Sequence, residues 1–203
     1  MAQFELSPRR LMQMEQGLAA LEASPIGAHA FAFFSPDEVA SLIKAAQKLP
    51  YRRAKSSAGN NVSQDFDICF PAPRERQFDA CADLLEQCFA HCLEQQPDLF
   101  DAAIELNDFA VQLYPKGSTG IGIHRDAKRY RNIVCVITLA GESDFFISAD
   151  RDGQGRVDID DSPGNLLLLA APGFRGLADP ALRPLHGVDN IAAGRLSIGF
   201  RMG

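Results

Sequence analysis

His124-Arg125-Asp126 and, far downstream, His186 place two imidazoles and one carboxylate in an order that can serve a metal. Such a set caps one face of an octahedral Fe(II) and leaves three positions open for a chelating co-substrate and O2. The His-x-Asp pair alone says little, because 4 histidines among 26 acidic residues produce it easily by chance. Its surroundings say more. Near the C-terminus, Arg195-Leu-Ser-Ile-Gly-Phe-Arg201 alternates apolar and polar positions. A strand there buries Leu196, Ile198 and Phe200 together and turns Arg195, Ser197 and Arg201 to the opposite face. Two guanidiniums buried without acidic neighbours on their own strand are costly unless an anion meets them. A dicarboxylate supplies two such groups, each able to take a guanidinium in bidentate fashion.

The elements that must position these residues read as strands. From Phe109 to Tyr114 the period of two puts Gln112 and Tyr114 on one face and Phe109, Val111 and Leu113 on the other, before Pro115-Lys-Gly117 breaks the strand. In Gly120-Ile-Gly-Ile-His-Arg-Asp126 the same period aligns Gly120, Gly122, His124 and Asp126, with Ile121 and Ile123 opposite. The two glycines then leave an open lane beside the ligands. Asn132 to Leu139, Asp144 to Ser148, Val157 to Asp160 and Leu166 to Ala170 are further strands.

Gln112-x-Tyr114-x-x-Gly117, His124-x-Asp126, His186-Gly-Val188 and Arg195-x-Ser197-x-Gly199-x-Arg201 together resemble the iron- and 2-oxoglutarate-dependent oxygenases of the AlkB type. The resemblance spans Asn107 to Arg201, and the paired arginines are its specific part. It implies His124, Asp126 and His186 as ligands of Fe(II), with 2-oxoglutarate and O2 as co-substrates. It also implies Arg195, helped by Tyr114, at the distal carboxylate of 2-oxoglutarate, and Arg201 near its 1-carboxylate. Gln112 and Ser197 stand where that family usually has Asn, and Gly199 where it has Thr; Gln112 and Ser197 are carried over as co-substrate contacts. The implied chemistry couples decarboxylation to succinate and CO2 with hydroxylation of a C–H bond, and on an N-methyl group the resulting alcohol collapses to formaldehyde.

The N-terminal half, to about residue 100, reads as mostly helical. Ser7-Pro8 opens a helix to about Glu22, Ser35-Pro-Asp-Glu38 has the form of a capping box before a helix to about Lys48, and a third helix runs from Arg74 to Gln96. Cys88, His91 and Cys92 in the third helix read as core cysteines with an exposed His beside them rather than as a metal cluster. Helices followed by about eight short strands predict an α+β chain, a double-stranded β-helix (jelly roll) over residues 107–203 buttressed by the helices. One domain over residues 1–203 is expected, because the chain of 203 residues with 46% hydrophobic content can fill one core and has no linker-like stretch. No apolar run is long enough to span a bilayer, the start lacks the pattern of a signal peptide, and the 5 cysteines, an odd number, read as reduced thiols. A cytoplasmic location is the expectation.

The substrate is less legible. Arg125, Lys128, Arg129 and Arg131, with Arg52, Arg53 and Lys55, form a local basic set that can meet phosphates, and the AlkB resemblance favours N-alkylated nucleobases. The chain nonetheless carries a net charge of −6 and no Trp to stack an extruded base. The expectation is therefore a small-molecule or peptide substrate, with nucleic acid as the alternative. From another class, the alternative is a non-catalytic jelly roll that binds a metal or an anion. No membrane partner is expected, and the oligomeric state is not readable.

Overall fold

The computed structural model describes residues 4–58 and 62–203. Ser7 and Ser35 sit extended before a proline, and each side chain accepts a hydrogen bond of 3.4 Å from the main-chain N–H three residues on, which starts α1 (Pro8–Ala23) and α2 (Pro36–Ala46). At α2 the capping box closes, with Ser35 N donating to Glu38 Oε2 at 2.8 Å. The third helix, α3 (Gln77–Gln95), starts later than expected. Arg76 holds φ 50°, which no helix can run through, and Arg74 instead spreads its guanidinium over Asp79, Asp83 and Glu86.

Between the helices the chain adds strands that its composition does not announce. β1 (Ala28–Ala32) is alanine-rich, with Phe31 and no β-branched residue, and pairs with β11 (Asn165–Ala170), Ala28 opposite Leu169. The short β2 (Arg52–Arg53), β3 (Ser57–Ala58), β4 (Val62–Asp65) and β5 (Asp67–Cys69) follow α2. The N-terminal half is thus less helical than expected. Beyond α3 come β6 (Asp108–Tyr114), β7 (Gly120–His124), β8 (Arg131–Gly141), β9 (Asp144–Ser148), β10 (Val157–Ile159), β12 (Leu185–Asp189) and β13 (Arg195–Met202).

These strands make two antiparallel sheets. The major sheet runs β1-β11-β8-β13-β6-β5-β2 and the minor sheet β10-β9-β12-β7-β4-β3. From β6 to β13 consecutive strands alternate between the sheets, except that β9 and β10 pair as a hairpin within the minor sheet, the arrangement of a jelly roll. Strand alternation then divides the core in two. Phe109 and Val111 of β6, Ile133, Cys135 and Ile137 of β8, and Leu196, Ile198 and Phe200 of β13 face the helices, where Met14, Leu42, Leu85 and Phe89 cover them. Leu113 shares that face of β6 but lies beyond the helices and remains 37% exposed. The other face of the same strands looks into the roll, where Tyr114, Val134, Leu167 and Leu169 meet Phe145 and Ile147 of the minor sheet. Arg195, Ser197 and Arg201 are turned toward this interior by the alternation that buries their neighbours against the helices.

Candidate metal and anion site

His124 ends β7 and His186 lies on β12, directly paired with it in register. The pairing brings the two rings to 4.3 Å between centroids, and Asp126, just past β7, places its Oδ2 3.7 Å from His186 Nε2. Ligand atoms from the three residues all lie within 4.8 Å of one another, and this is the one such group of three or more His, Cys, Asp or Glu side chains among the described residues. Each imidazole has its Nδ1 against a main-chain carbonyl, His124 on Gly122 O at 2.9 Å and His186 on Pro184 O at 3.2 Å. A proton on Nδ1 donated there leaves the Nε2 lone pair as the ligand atom, which fixes both tautomer and ring orientation for a metal.

The electrostatics suit the same purpose. Burial, reinforced by His124, pushes the His186 pKa down to about 4, so its imidazole is neutral at physiological pH. Burial alone would raise Asp126, but the charges of Arg201, the two histidines and Arg183 outweigh it and hold the carboxyl below its ordinary value. Two imidazole nitrogens and an ionised carboxylate fit a divalent cation of intermediate hardness such as Fe(II). Phe145 stacks on His186 with rings 5.4 Å apart and 13° from parallel, an apolar wall behind the ligand.

The expected open lane beside the ligands does not form. His186 pairs with His124 but Val188 pairs with Ile121, so β7 carries a bulge that breaks its alternation. Ile121, not Gly122, then shares the cavity with His124, alongside Gln112, Val136 and Phe145. The glycines serve the backbone instead. Gly120 holds φ +83°, and a Cβ there would lie 1.8 Å from Val188 O; a Cβ on Gly122 would press on Ser63 of β4.

Arg195 and Arg201 reach the same cavity as the histidines, so the structure brings Gln112, His124, Asp126, His186, Arg195 and Arg201 together. Neither arginine lacks an acidic neighbour, contrary to the expectation drawn from their strand alone. Arg195, with its side chain 1% exposed, bonds Asp161 Oδ2 through Nε at 3.2 Å and Nη2 at 3.0 Å. Its Nη2 also reaches Thr138 Oγ1 at 2.9 Å and its Nη1 reaches Ser197 Oγ at 2.5 Å. Tyr114 stands opposite Arg195 in register, with its ring 5.5 Å from the guanidinium carbon. Burial raises the Tyr114 pKa to about 12, so it remains a phenol. Arg201 lies over the Tyr130 ring, 3.6 Å from Asp126 Oδ1, and its buried Nε makes no hydrogen bond among the described residues.

Asp161, Thr138 and Arg183 were not singled out in the sequence. Thr138 had a signal, a polar residue on the inward face of the otherwise apolar β8. Asp161 had none, being one of several acids in a loop between β10 and β11. Three of the basic set are paired locally: Arg129 with Asp108 at 2.7 Å, Arg131 with Asp101, and Arg53 with Asp65. In α3, Cys88 and Cys92 are buried, and His91 Nε2 lies 3.1 Å from Glu15.

No family model and no curated protein matches the sequence. Solved structures do match in fold. A prolyl hydroxylase from Trichoplax adhaerens, in complex with a hypoxia-inducible-factor peptide fragment, is 16% identical with a TM-score of 0.66 over 98% of this chain and 94% of its own. A Pseudomonas putida prolyl-4-hydroxylase is 19% identical with a TM-score of 0.59 over 93% of this chain and 97% of its own. OsALKBH1 is 16% identical with a TM-score of 0.57 over 88% of this chain and 99% of its own. The chain therefore has the helix-buttressed double-stranded β-helix fold found in Fe(II)- and 2-oxoglutarate-dependent oxygenases, of which the AlkB type is one among several.

Proposed function

We propose that this chain is an Fe(II)- and 2-oxoglutarate-dependent dioxygenase that hydroxylates a C–H bond of a peptide or small-molecule substrate. One observation carries the reading: a neutral His186, His124 and an ionised Asp126 converge in a cavity that two arginines also line. His124, Asp126 and His186 would hold the iron, His124 and His186 through Nε2 and Asp126 through its carboxylate. Arg195, with the Ser197 and Thr138 hydroxyls beside it, would take the distal carboxylate of 2-oxoglutarate. Arg201 would balance the negative charge of Asp126 and of the 1-carboxylate, and Gln112 would contribute a further hydrogen bond. When bound, Fe(II), 2-oxoglutarate and O2 supply oxidation of a substrate C–H bond coupled to decarboxylation to succinate and CO2. Ile121, Val136 and Phe145 give the otherwise polar cavity an apolar wall that would limit water beside the reacting groups.

The prolyl hydroxylase neighbours, one of them in complex with a peptide, support a peptide or small-molecule substrate. The pairing of Arg129, Arg131 and Arg53 with carboxylates weighs against a phosphate track, so demethylation of nucleobases is the second reading, kept by the OsALKBH1 likeness. The test is succinate release with Fe(II) and 2-oxoglutarate, screened over peptides, amino acids, small metabolites and methylated oligonucleotides. Substrate-stimulated succinate that disappears in His186→Ala supports the proposal. No iron binding and no succinate across the panel would favour a binding-only jelly roll instead.

A further inference from the structure

Arg195 is an unusual anion receptor because it already has an anion. Its guanidinium offers five N–H groups. The contacts to Asp161, Thr138 and Ser197 engage four of them: Nε–H and one Nη2–H on Asp161 Oδ2, the second Nη2–H on Thr138 Oγ1, and one Nη1–H on Ser197 Oγ. Thr138 also donates to Asp161 Oδ2 at 3.1 Å, so the three side chains form one closed, buried network fed from β8, β13 and the β10–β11 connection. Arg195 is 3% exposed and Asp161 8%, and water therefore screens the pair little.

An incoming carboxylate consequently meets a cation whose charge is largely compensated. It gains the attraction of Arg195 and suffers the repulsion of Asp161 across one guanidinium, further away but in the same weakly screened surroundings, so the repulsion offsets part of the gain. Thr138 has its hydroxyl hydrogen on Asp161, but Ser197 only accepts from Arg195 and keeps its own hydrogen, and one Nη1–H of Arg195 is also uncommitted, so the pocket keeps hydrogen-bonding capacity while losing most of its net charge. Hydrogen bonds of that kind serve an amide nearly as well as a carboxylate.

We propose that Asp161 is a specificity-determining residue that tempers Arg195, so that this pocket holds the distal end of a 2-oxo acid loosely and discriminates little between a distal carboxylate and a distal amide. This rests on the reading of Arg195 as the co-substrate's distal partner. The test is equilibrium titration calorimetry on the full chain loaded with Mn(II), with 2-oxoglutarate and its distal amide, 2-oxoglutaramate, as the two probes. In the natural protein the two dissociation constants should differ by less than about threefold; in Asp161→Asn the carboxylate should bind on the order of tenfold more tightly while the amide hardly changes. Asp161→Ser, which removes the charge differently, should show the same split, and melting curves report whether each variant is folded. A merely structural Asp161 would move both probes together. If the natural protein binds neither probe, the co-substrate reading falls and this proposal with it. If it binds 2-oxoglutarate but Asp161→Asn and Asp161→Ser bind it equally or more weakly, only the role of Asp161 is overturned.

Discussion

Arg183, 7% exposed, donates from Nη1 to the main-chain oxygen of Asp126, so a buried cation three residues before His186 ties one ligand-bearing segment to the other. Arg125 returns the link by donating from Nε to Arg183 O at 2.8 Å. The two strands that carry the proposed ligands are thus joined at their open ends by side chains outside the proposed ligand set. Groups that orient ligands typically change metal affinity by about 10- to 100-fold when removed. Arg183→Met should accordingly weaken Fe(II) or Co(II) binding by at least about tenfold while leaving the far-ultraviolet circular dichroism spectrum unchanged. Unchanged affinity in a metal titration would show that Asp126 is held by its own loop.

The Arg195–Asp161 pair makes a prediction about stability as well as binding. Removing one member of a buried ion pair leaves the other charge uncompensated, at a cost of about 3 to 5 kcal/mol. Arg195→Ala should therefore lower stability in urea by that order and also raise the 2-oxoglutarate requirement. The double variant Arg195→Ala/Asp161→Asn should recover a large part of the lost stability but none of the co-substrate binding. Additive losses in the double-mutant cycle would mean that the two residues do not share an interaction.

How much of this was legible follows from where each signal lives. The inward sets on β6 and β13 were readable because the alternation of Phe109, Val111 and of Leu196, Ile198, Phe200 is a local property of the chain, and each of those strands is covered on one face by helices. The lane beside Gly120 and Gly122 was misread because a bulge reverses the faces of β7, and the bulge depends on β12, distant in sequence. The same holds for β1, whose Ala-rich sequence pairs with β11, and for Asp161, which reaches Arg195 from the β10–β11 connection 34 residues earlier in the chain. Local periodicity locates ligands; charge compensation between strands does not show until the sheets close.

The five cysteines give a prediction on the alkaline side. All are buried, and burial pushes Cys88 up to about 12 and Cys92 to about 11, with Cys81 and Cys135 also raised. Because these folded values lie above the unfolded value near 9, the stabilisation is fully present below pH 9 and is lost as the pH rises toward 11 to 12. The urea midpoint should fall over that window, and replacing Cys88 and Cys92 together by Ala should flatten the fall. A thiol reagent at pH 8 should label none of the five rapidly in the folded protein and all of them in urea.

The last prediction concerns what approaches the open side of the cavity. If phosphates were tracked by the basic set, binding of oligonucleotides would weaken steeply with salt, each lost contact reducing the slope by about one unit. Arg129 and Arg131 are instead engaged by Asp108 and Asp101, and releasing either arginine to a phosphate would strand its carboxylate beside the incoming anion. Tyr130 reinforces the first pair, with its hydroxyl on Asp108 Oδ1 at 3.1 Å and the Arg129 guanidinium 4.6 Å above its ring. Methylated single-stranded oligonucleotides should therefore fail to bind measurably at physiological salt, and Arg131→Glu should lower thermal stability slightly without altering succinate release on a productive substrate. A steep salt dependence of oligonucleotide binding that flattens in Lys128→Glu, with formaldehyde released from an N-methylated base, would reverse the preference and make nucleic acid the substrate.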